Sequence, residues 1–261
     1  MADQDTRTGY NASELICVMS ARALKDGDVV FGGAGLPLVS AILAQNTHAP
    51  RLTILFEGGV IGPRVIPGRL PPSTNEARCA WGASKLLSIT DVLLLMQRGY
   101  VDYGFLGGAQ IDRHGNLNSS FIGDPDSPKV RLPGTGGAND IASMTKVIVA
   151  MRHEKRRFVE DVDFITSPGY LKGGRSRQDA GLPAGGVHLV ITHLGLLDFD
   201  RRQGRMRLKS LHPGVDLQEM RENTGFELVI PKKVPETKPP TAKELSSLRA
   251  LDPDGRYTRR D

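Results

Sequence analysis

The run Phe56-Glu57-Gly58-Gly59-Val60-Ile61-Gly62 has the strongest chemical potential in this sequence. It puts a carboxylate directly behind LTILF (52–56), an unbroken apolar and β-rich run that reads as a buried strand. In open α/β sheets ligands bind at the carboxyl ends of strands. Glycines at such a point let a ligand approach the backbone, and a Glu there can be desolvated and reactive. The plain alternative is a solvated Glu in a turn.

A second run, Gly134-Thr135-Gly136-Gly137-Ala138-Asn139-Asp140, leads into IASMTK. A glycine loop that opens a helix turns free N–H groups outward, and such groups bind a phosphate or a developing oxyanion. No GK[ST] follows, so this is not a Walker loop. A tight loop without a ligand is the other reading. The third run, GGAQIDRHGNLNSS (107–120), contains Asp-x-x-Gly-Asn, a good turn sequence. Asn118 and Ser119 beyond it could offer an amide and a hydroxyl to a ligand, although alone the run reads as a β-turn with His114 in solvent. Cys79 has no histidine near it in sequence, Ser143 and Ser167 lack a nucleophile elbow, and the six histidines show no metal-ligand spacing.

The elements that must position these residues alternate along the chain. Residues 12–24 read as an amphipathic helix capped by Ser13. A strand at 29–31, a glycine loop at 32–37 and a helix to about 45 follow. After the 52–56 strand come a helix over 84–97 and strands at 101–106, 146–151, 162–165 and 187–192, with 195–199 and 205–209 as a hairpin. This predicts an α/β fold: an open, mainly parallel sheet flanked by helices. Residues 1–230 form the α/β domain, and 231–261, which begin with the Pro/Lys/Glu-rich PKKVPETKPPTAKE, form an extended C-terminal arm or tail with a short helix from Thr241 to Leu248.

A net charge of +5 with 5% aromatics and scattered basic residues gives no nucleic-acid footprint, and suits an anionic substrate. Even the densest basic run, HEKRR (153–157), contains a Glu. Two cysteines outside any CxxC fit a reducing compartment. The polar N-terminus is no signal peptide, and the apolar runs fall short of the ~20 residues of a membrane span. The sequence therefore predicts a soluble, cytoplasmic protein with no metal and no tightly bound cofactor.

Taken together the runs resemble family I coenzyme A transferases, β subunit. Glu-Gly-Gly-Val-Ile-Gly is similar to that family's (S)ENG/ESG catalytic segment, and GTGGANDIA to its GxGGAxD loop. IGDPDSPKVRLPGTGGAND, HEKRRF, TSPG and ENTGFEL resemble the B subunits of glutaconate CoA-transferases in the same order, and the resemblance covers about residues 10–230. It implies coenzyme A as co-substrate and an α-subunit partner, in an α2β2 heterotetramer or a multiple of it. It also implies a mechanism. Glu57 attacks an acyl-CoA thioester to give an acyl-glutamyl anhydride, and CoA thiolate returns to give a glutamyl-CoA thioester. A second acid then collects the CoA. Gly136 and Gly137, with Gly58, would serve the oxyanion and CoA, and Asn118 would position the thioester.

The sequence departs from the family where Gly-Gly-Val-Ile-Gly replaces Asn-Gly or Ser-Gly after the Glu. Residues 63–82 (PRVIPGRLPPSTNEARCAWG) also differ from the glutaconate enzyme in a region that shapes the acyl pocket, which leaves the substrate open. The resemblance extends to relatives that decarboxylate a CoA ester or open a CoA-linked ring by hydrolysis, having lost or replaced the nucleophilic Glu. The Glu present here favours transfer. A non-catalytic acyl-CoA-binding subunit is the third reading.

Overall fold

Asn11, not Ser13, starts the first helix. Its side chain accepts the Glu14 N–H at 2.8 Å while the Glu14 carboxylate accepts the Asn11 N–H at 3.0 Å. This reciprocal cap satisfies two N–H groups left free by the first turn and opens α1 (Ala12–Arg22). The computed structural model describes residues 9–182, 185–200 and 202–259. They form two compact units. One holds the described residues up to Phe105 and those from Pro239 onward, and the other spans Leu106–Lys238.

In the first unit β1 (Val29–Phe31), α2 (Leu36–Thr47), β2 (Thr53–Leu55), β3 (Val60–Ile61), β4 (Lys85–Leu86), α3 (Ile89–Gln97) and β5 (Tyr103–Leu106) follow α1. The strand order is β5-β1-β2-β3-β4. Both β5 and β2 run parallel to β1, with Val30 beside Ile54 and Phe31 beside Leu55, whereas β3 and β4 are antiparallel additions. Val30, Ile54 and Leu55 are at most 2% exposed, which is why these strands read as unbroken apolar runs. The helix expected from residue 84 begins at 89. Lys85 and Leu86 pair with Ile61 and Val60 instead, and Ser88 with Asp91 forms a capping box that fixes the start of α3.

The second unit opens with two hairpins, β6 (Gln110–Ile111) with β7 (Leu117–Asn118) and β8 (Phe121–Gly123) with β9 (Pro128–Arg131). Then come α4 (Ala138–Met144), β10 (Lys146–Ala150), α5 (Ser176–Asp179), β11 (Gly186–Ile191), β12 (Gly195–Asp200), β13 (Arg205–Leu211) and α6 (Leu217–Glu222). The order is β13-β12-β11-β10, with β10 and β11 parallel and the expected 195–209 hairpin antiparallel. The α/β architecture is as the sequence predicts, but the strands are mixed rather than mainly parallel. The strand expected at 162–165 does not form. Asp163 accepts the Gly123 N–H at 2.8 Å, and Phe164 packs on Phe121 with ring centroids 5.2 Å apart. Those apolar residues serve a side-chain contact rather than a ladder.

Residues beyond 230, expected as an arm or tail, carry one bridge (Leu211 to Glu236) and then return as α7 (Ala242–Leu251). Leu248 and Leu251 are buried, and α7 is tied to α1 by Arg22–Glu244 and Arg249–Glu14 pairs, each 2.7 Å. No helix among the described residues is long and apolar enough to cross a membrane.

Candidate active site

Glu57 sits at the tip of the turn that joins β2 to β3. The Phe56 N–H donates to Val60 O at 2.9 Å and the Gly59 N–H to Phe56 O at 3.0 Å, so Glu57 and Gly58 are the two residues left outside the ladder. The fully buried Phe56 ring anchors the strand beneath. The Glu57 side chain is half-buried and has no hydrogen bond or ion pair among the described residues. Its oxygens are therefore uncommitted, as a nucleophile requires.

The two glycines after it answer to close packing. A Cβ on Gly58 would lie 2.5 Å from Asn75 Oδ1 and 3.2 Å from Thr74 O. Gly59 has φ 96°, a region that favours glycine, and a Cβ there would overlap the Leu87 carbonyl. The Leu87 N–H also donates to Gly59 O at 2.8 Å, which pins the turn to the start of α3. Beside β2, the Gly32 N–H donates to Leu55 O at 2.9 Å, so the 32–35 loop lies at the same carboxyl end of the sheet as Glu57. Gly35 then opens α2 with no side-chain cap. From sequence this loop was expected only as a connection; its glycine density was the available signal.

Residues 63–82 form a wall beside this turn. The Arg64 N–H donates to Trp81 O at 3.3 Å, and Ala77–Ala80 make a short 3₁₀ turn. The C-terminal segment braces the wall: the Gly68 N–H donates to Leu251 O at 3.0 Å and Tyr257 Oη to Pro71 O at 3.2 Å. Cys79 donates its thiol to Ser73 O at 3.4 Å, and burial pushes its pKa up. A thiol held protonated is a poor nucleophile.

Asn118, Gly136 and Gly137 lie in the second unit. Asn118 is fully buried. Its amide nitrogen donates to Gln110 Oε1 and to Phe121 O, each at 2.7 Å, and its Oδ1 accepts the Ser120 N–H at 3.0 Å. These polar atoms are spent on the fold, and the next residue makes the link to the glycine loop. The Ser119 hydroxyl donates to Gly134 O at 2.9 Å and the Gly134 N–H to Ser119 O at 2.8 Å. Gly134 and Gly136 have φ 93° and 47°. The Ala138 N–H returns to Thr135 O at 2.9 Å, whereas the N–H groups of Gly136 and Gly137 have no acceptor among the described residues. Thr166, absent from the residues expected at the site, is the hub: its hydroxyl accepts the Ser119 N–H at 3.0 Å, and its carbonyl accepts the Asn139 amide at 3.0 Å. In the sequence it is marked only as the first residue of the TSPG run. His114, expected in solvent, is half-buried with Nδ1 2.8 Å from Gly204 O.

The family model described as "Coenzyme A transferase" spans residues 14–223. The chain belongs to the coenzyme A transferase family. It is 40% identical to the B subunit of 3-oxoadipate CoA-transferase from Pseudomonas knackmussii, over 94% of each chain. It is 38% identical to the B subunit of glutaconate CoA-transferase from Acidaminococcus fermentans, over 87% of each. The crystal structure of that glutaconate coenzyme A-transferase matches with a TM-score of 0.91 and 35% identity, over 97% of this chain and 99% of that one. The decarboxylase AibA/AibB matches with a TM-score of 0.80 and 28% identity, over 94% and 96%. The expected family resemblance therefore stands, and the family holds a decarboxylase as well as transferases.

Proposed function

We propose that this chain is the catalytic β subunit of a two-subunit CoA transferase that moves CoA between an acyl-CoA and a carboxylic acid. The acids are glutaconate-like or other dicarboxylic or oxo acids, the class named for the 3-oxoadipate and glutaconate relatives. The observation that carries the reading is the uncommitted Glu57 carboxylate at the end of β2, held in a turn whose Gly59 adopts a backbone conformation that favours glycine, in a chain of this family. A Glu oxygen attacks the thioester carbonyl, the C–S bond breaks and CoA thiolate leaves a mixed anhydride. The thiolate then attacks the Glu57 carbonyl, releasing the first acid and leaving a glutamyl-CoA thioester. The acceptor carboxylate displaces the thiolate again, forming a second anhydride, and thiolate attack on its acyl carbon restores Glu57. Every intermediate is as activated as a thioester, so the exchange proceeds without hydrolysing it.

Gly136 and Gly137 are the proposed oxyanion donors because their N–H groups are uncommitted. Asn118 is a positioning residue that sets Ser119, and through it Gly134. The chain acts with an α partner and is inactive alone. The test is CoA exchange by the co-expressed pair. Wild type should exchange and Glu57→Gln should not. Exchange that survives Glu57→Gln, or robust turnover by this chain alone, would contradict the proposal and favour decarboxylation or hydrolysis on the same fold.

A further inference from the structure

We infer that the residues 63–82 wall is an anion-recognising acyl pocket, in which Arg64 and Arg69 bind the second carboxylate of a dicarboxylic acyl group. A cavity of about 260 Å³ opens there, with Ile66, Trp81 and Cys79 among its walls and Arg64, Arg69 and Arg78 around it. Its volume is below the roughly 300–1,000 Å³ of sites for drug-sized ligands. It is thus too small for coenzyme A and suited to a short acid. Glu76 pairs with Arg78 and neutralises it. Arg64 lies over the Trp81 ring, 5.6 Å from its centroid, and neither Arg64 nor Arg69 has a carboxylate partner among the described residues. Arg64 over the Trp81 ring and Arg69 at the cavity's lining form an arrangement that a short aliphatic chain ending in a carboxylate completes, because a guanidinium fork takes both carboxylate oxygens.

The pocket adjoins the nucleophile's turn through the chain itself. Asn75 and Thr74 pack on Gly58, and the Cys79 N–H closes on Glu76 O at 2.9 Å, one short turn further on. Gly68 and Pro71 are fixed by Leu251 and Tyr257, so the wall is held against the body of its own unit. A monocarboxylic acyl chain would leave both guanidinium groups unpaired, which gives the site its selectivity.

This inference rests on the transferase reading, and its test separates the two. With the co-expressed pair, kcat/KM is compared for glutarate and pentanoate as CoA acceptors. Wild type should prefer glutarate at least tenfold. Arg64→Gln and Arg69→Gln should each lower the glutarate-to-pentanoate ratio by about 10- to 100-fold, the range for losing a hydrogen bond to a charged group. The ratio does not depend on how much of a variant folds. No preference in wild type, or a ratio that the variants leave unchanged, overturns the inference while leaving the transferase reading intact. No exchange with any acid refutes the transferase reading instead. The pocket is then judged by phenylglyoxal labelling of the complex, followed by peptide mass spectrometry. Glutarate should protect Arg64 and Arg69 and pentanoate should not. Equal protection by both acids, or protection by coenzyme A alone, contradicts the assignment.

Discussion

Gly59→Ala tests whether the turn under the nucleophile is as constrained as its geometry implies. Gly59 is held at φ 96°, and an added methyl would run into the Leu87 carbonyl. A side chain in such a backbone region costs about 1–3 kcal/mol, and forcing a methyl into packed atoms costs about 1–3 kcal/mol more. The chain can avoid the overlap only by moving the β2–β3 turn away from the start of α3, which moves Glu57 with it. A misplacement of about 1 Å can cost on the order of 100-fold in rate. The variant should therefore lose about 2–6 kcal/mol in urea unfolding, the sum of those two costs, and folded complex should show kcat reduced about 100-fold. Gly58→Ala is the milder comparison: its φ is not positive, its closest contact is the Asn75 amide, which can rotate, and the backbone of Thr74 and Asn75 lies at 3.2 and 3.3 Å. It should cost about 1 kcal/mol. If Gly59→Ala matches Gly58→Ala in both stability and kcat, the turn is softer than described and the argument that it fixes Glu57 fails.

Three further outcomes follow from the second unit. Gly137→Pro, which deletes the N–H and fits the φ of −78°, should lower kcat of the complex by about 100- to 1000-fold, the usual effect of removing one oxyanion donor; an unchanged kcat would make the loop structural only. Arg177 is buried and donates to the carbonyls of Pro168, Gly169, Ala142 and Ser143 at 2.8 to 3.2 Å. Arg177→Met leaves these acceptors unmet and should cost about 3 kcal/mol or more in denaturant unfolding; a loss under about 1 kcal/mol would show that the loops relax around the gap. Burial depresses His153 to about 3 and His212 to about 4, below the ordinary 6.5. The unfolded chain therefore takes up protons first, and stability present above pH 6.5 is lost as pH falls toward 4, by up to about 1.4 kcal/mol per pH unit for each histidine. His153→Gln should flatten that slope between pH 6 and 4, and an unaltered slope would mean the ring does not titrate as described.

The parts of this molecule legible in its sequence are those fixed by local patterns. The LTILF run announced β2 and its glycine-backed carboxylate, and the 195–209 alternation announced the β12–β13 hairpin. Asn11 was also legible in principle, since Asn-x-x-Glu is a capping box, but the Ser two residues later competed for the same role. The 162–165 stretch misled because Phe164 and Ile165 look like strand residues, and only the fold reveals that Phe121 claims the ring. Thr166 and Arg177 lay beyond the reach of sequence reasoning. Their partners are as far as 49 residues away for Thr166 and 35 for Arg177, and the TSPG run that Thr166 opens points to no partner. The pairing of α7 with α1 depends on Arg22–Glu244 and Arg249–Glu14, contacts across more than 200 residues that no local pattern encodes.

Trapping the enzyme-bound CoA tests the central claim most directly. The complex is incubated with acyl-CoA without an acceptor acid, reduced with borohydride, and digested for peptide mass spectrometry. Reduction should inactivate the acyl-CoA-treated enzyme but not the free enzyme, and the altered side chain should be Glu57, with no alteration in Glu57→Ala. Product formation without any modification of Glu57, or a label on Cys79, would contradict the glutamyl-CoA account.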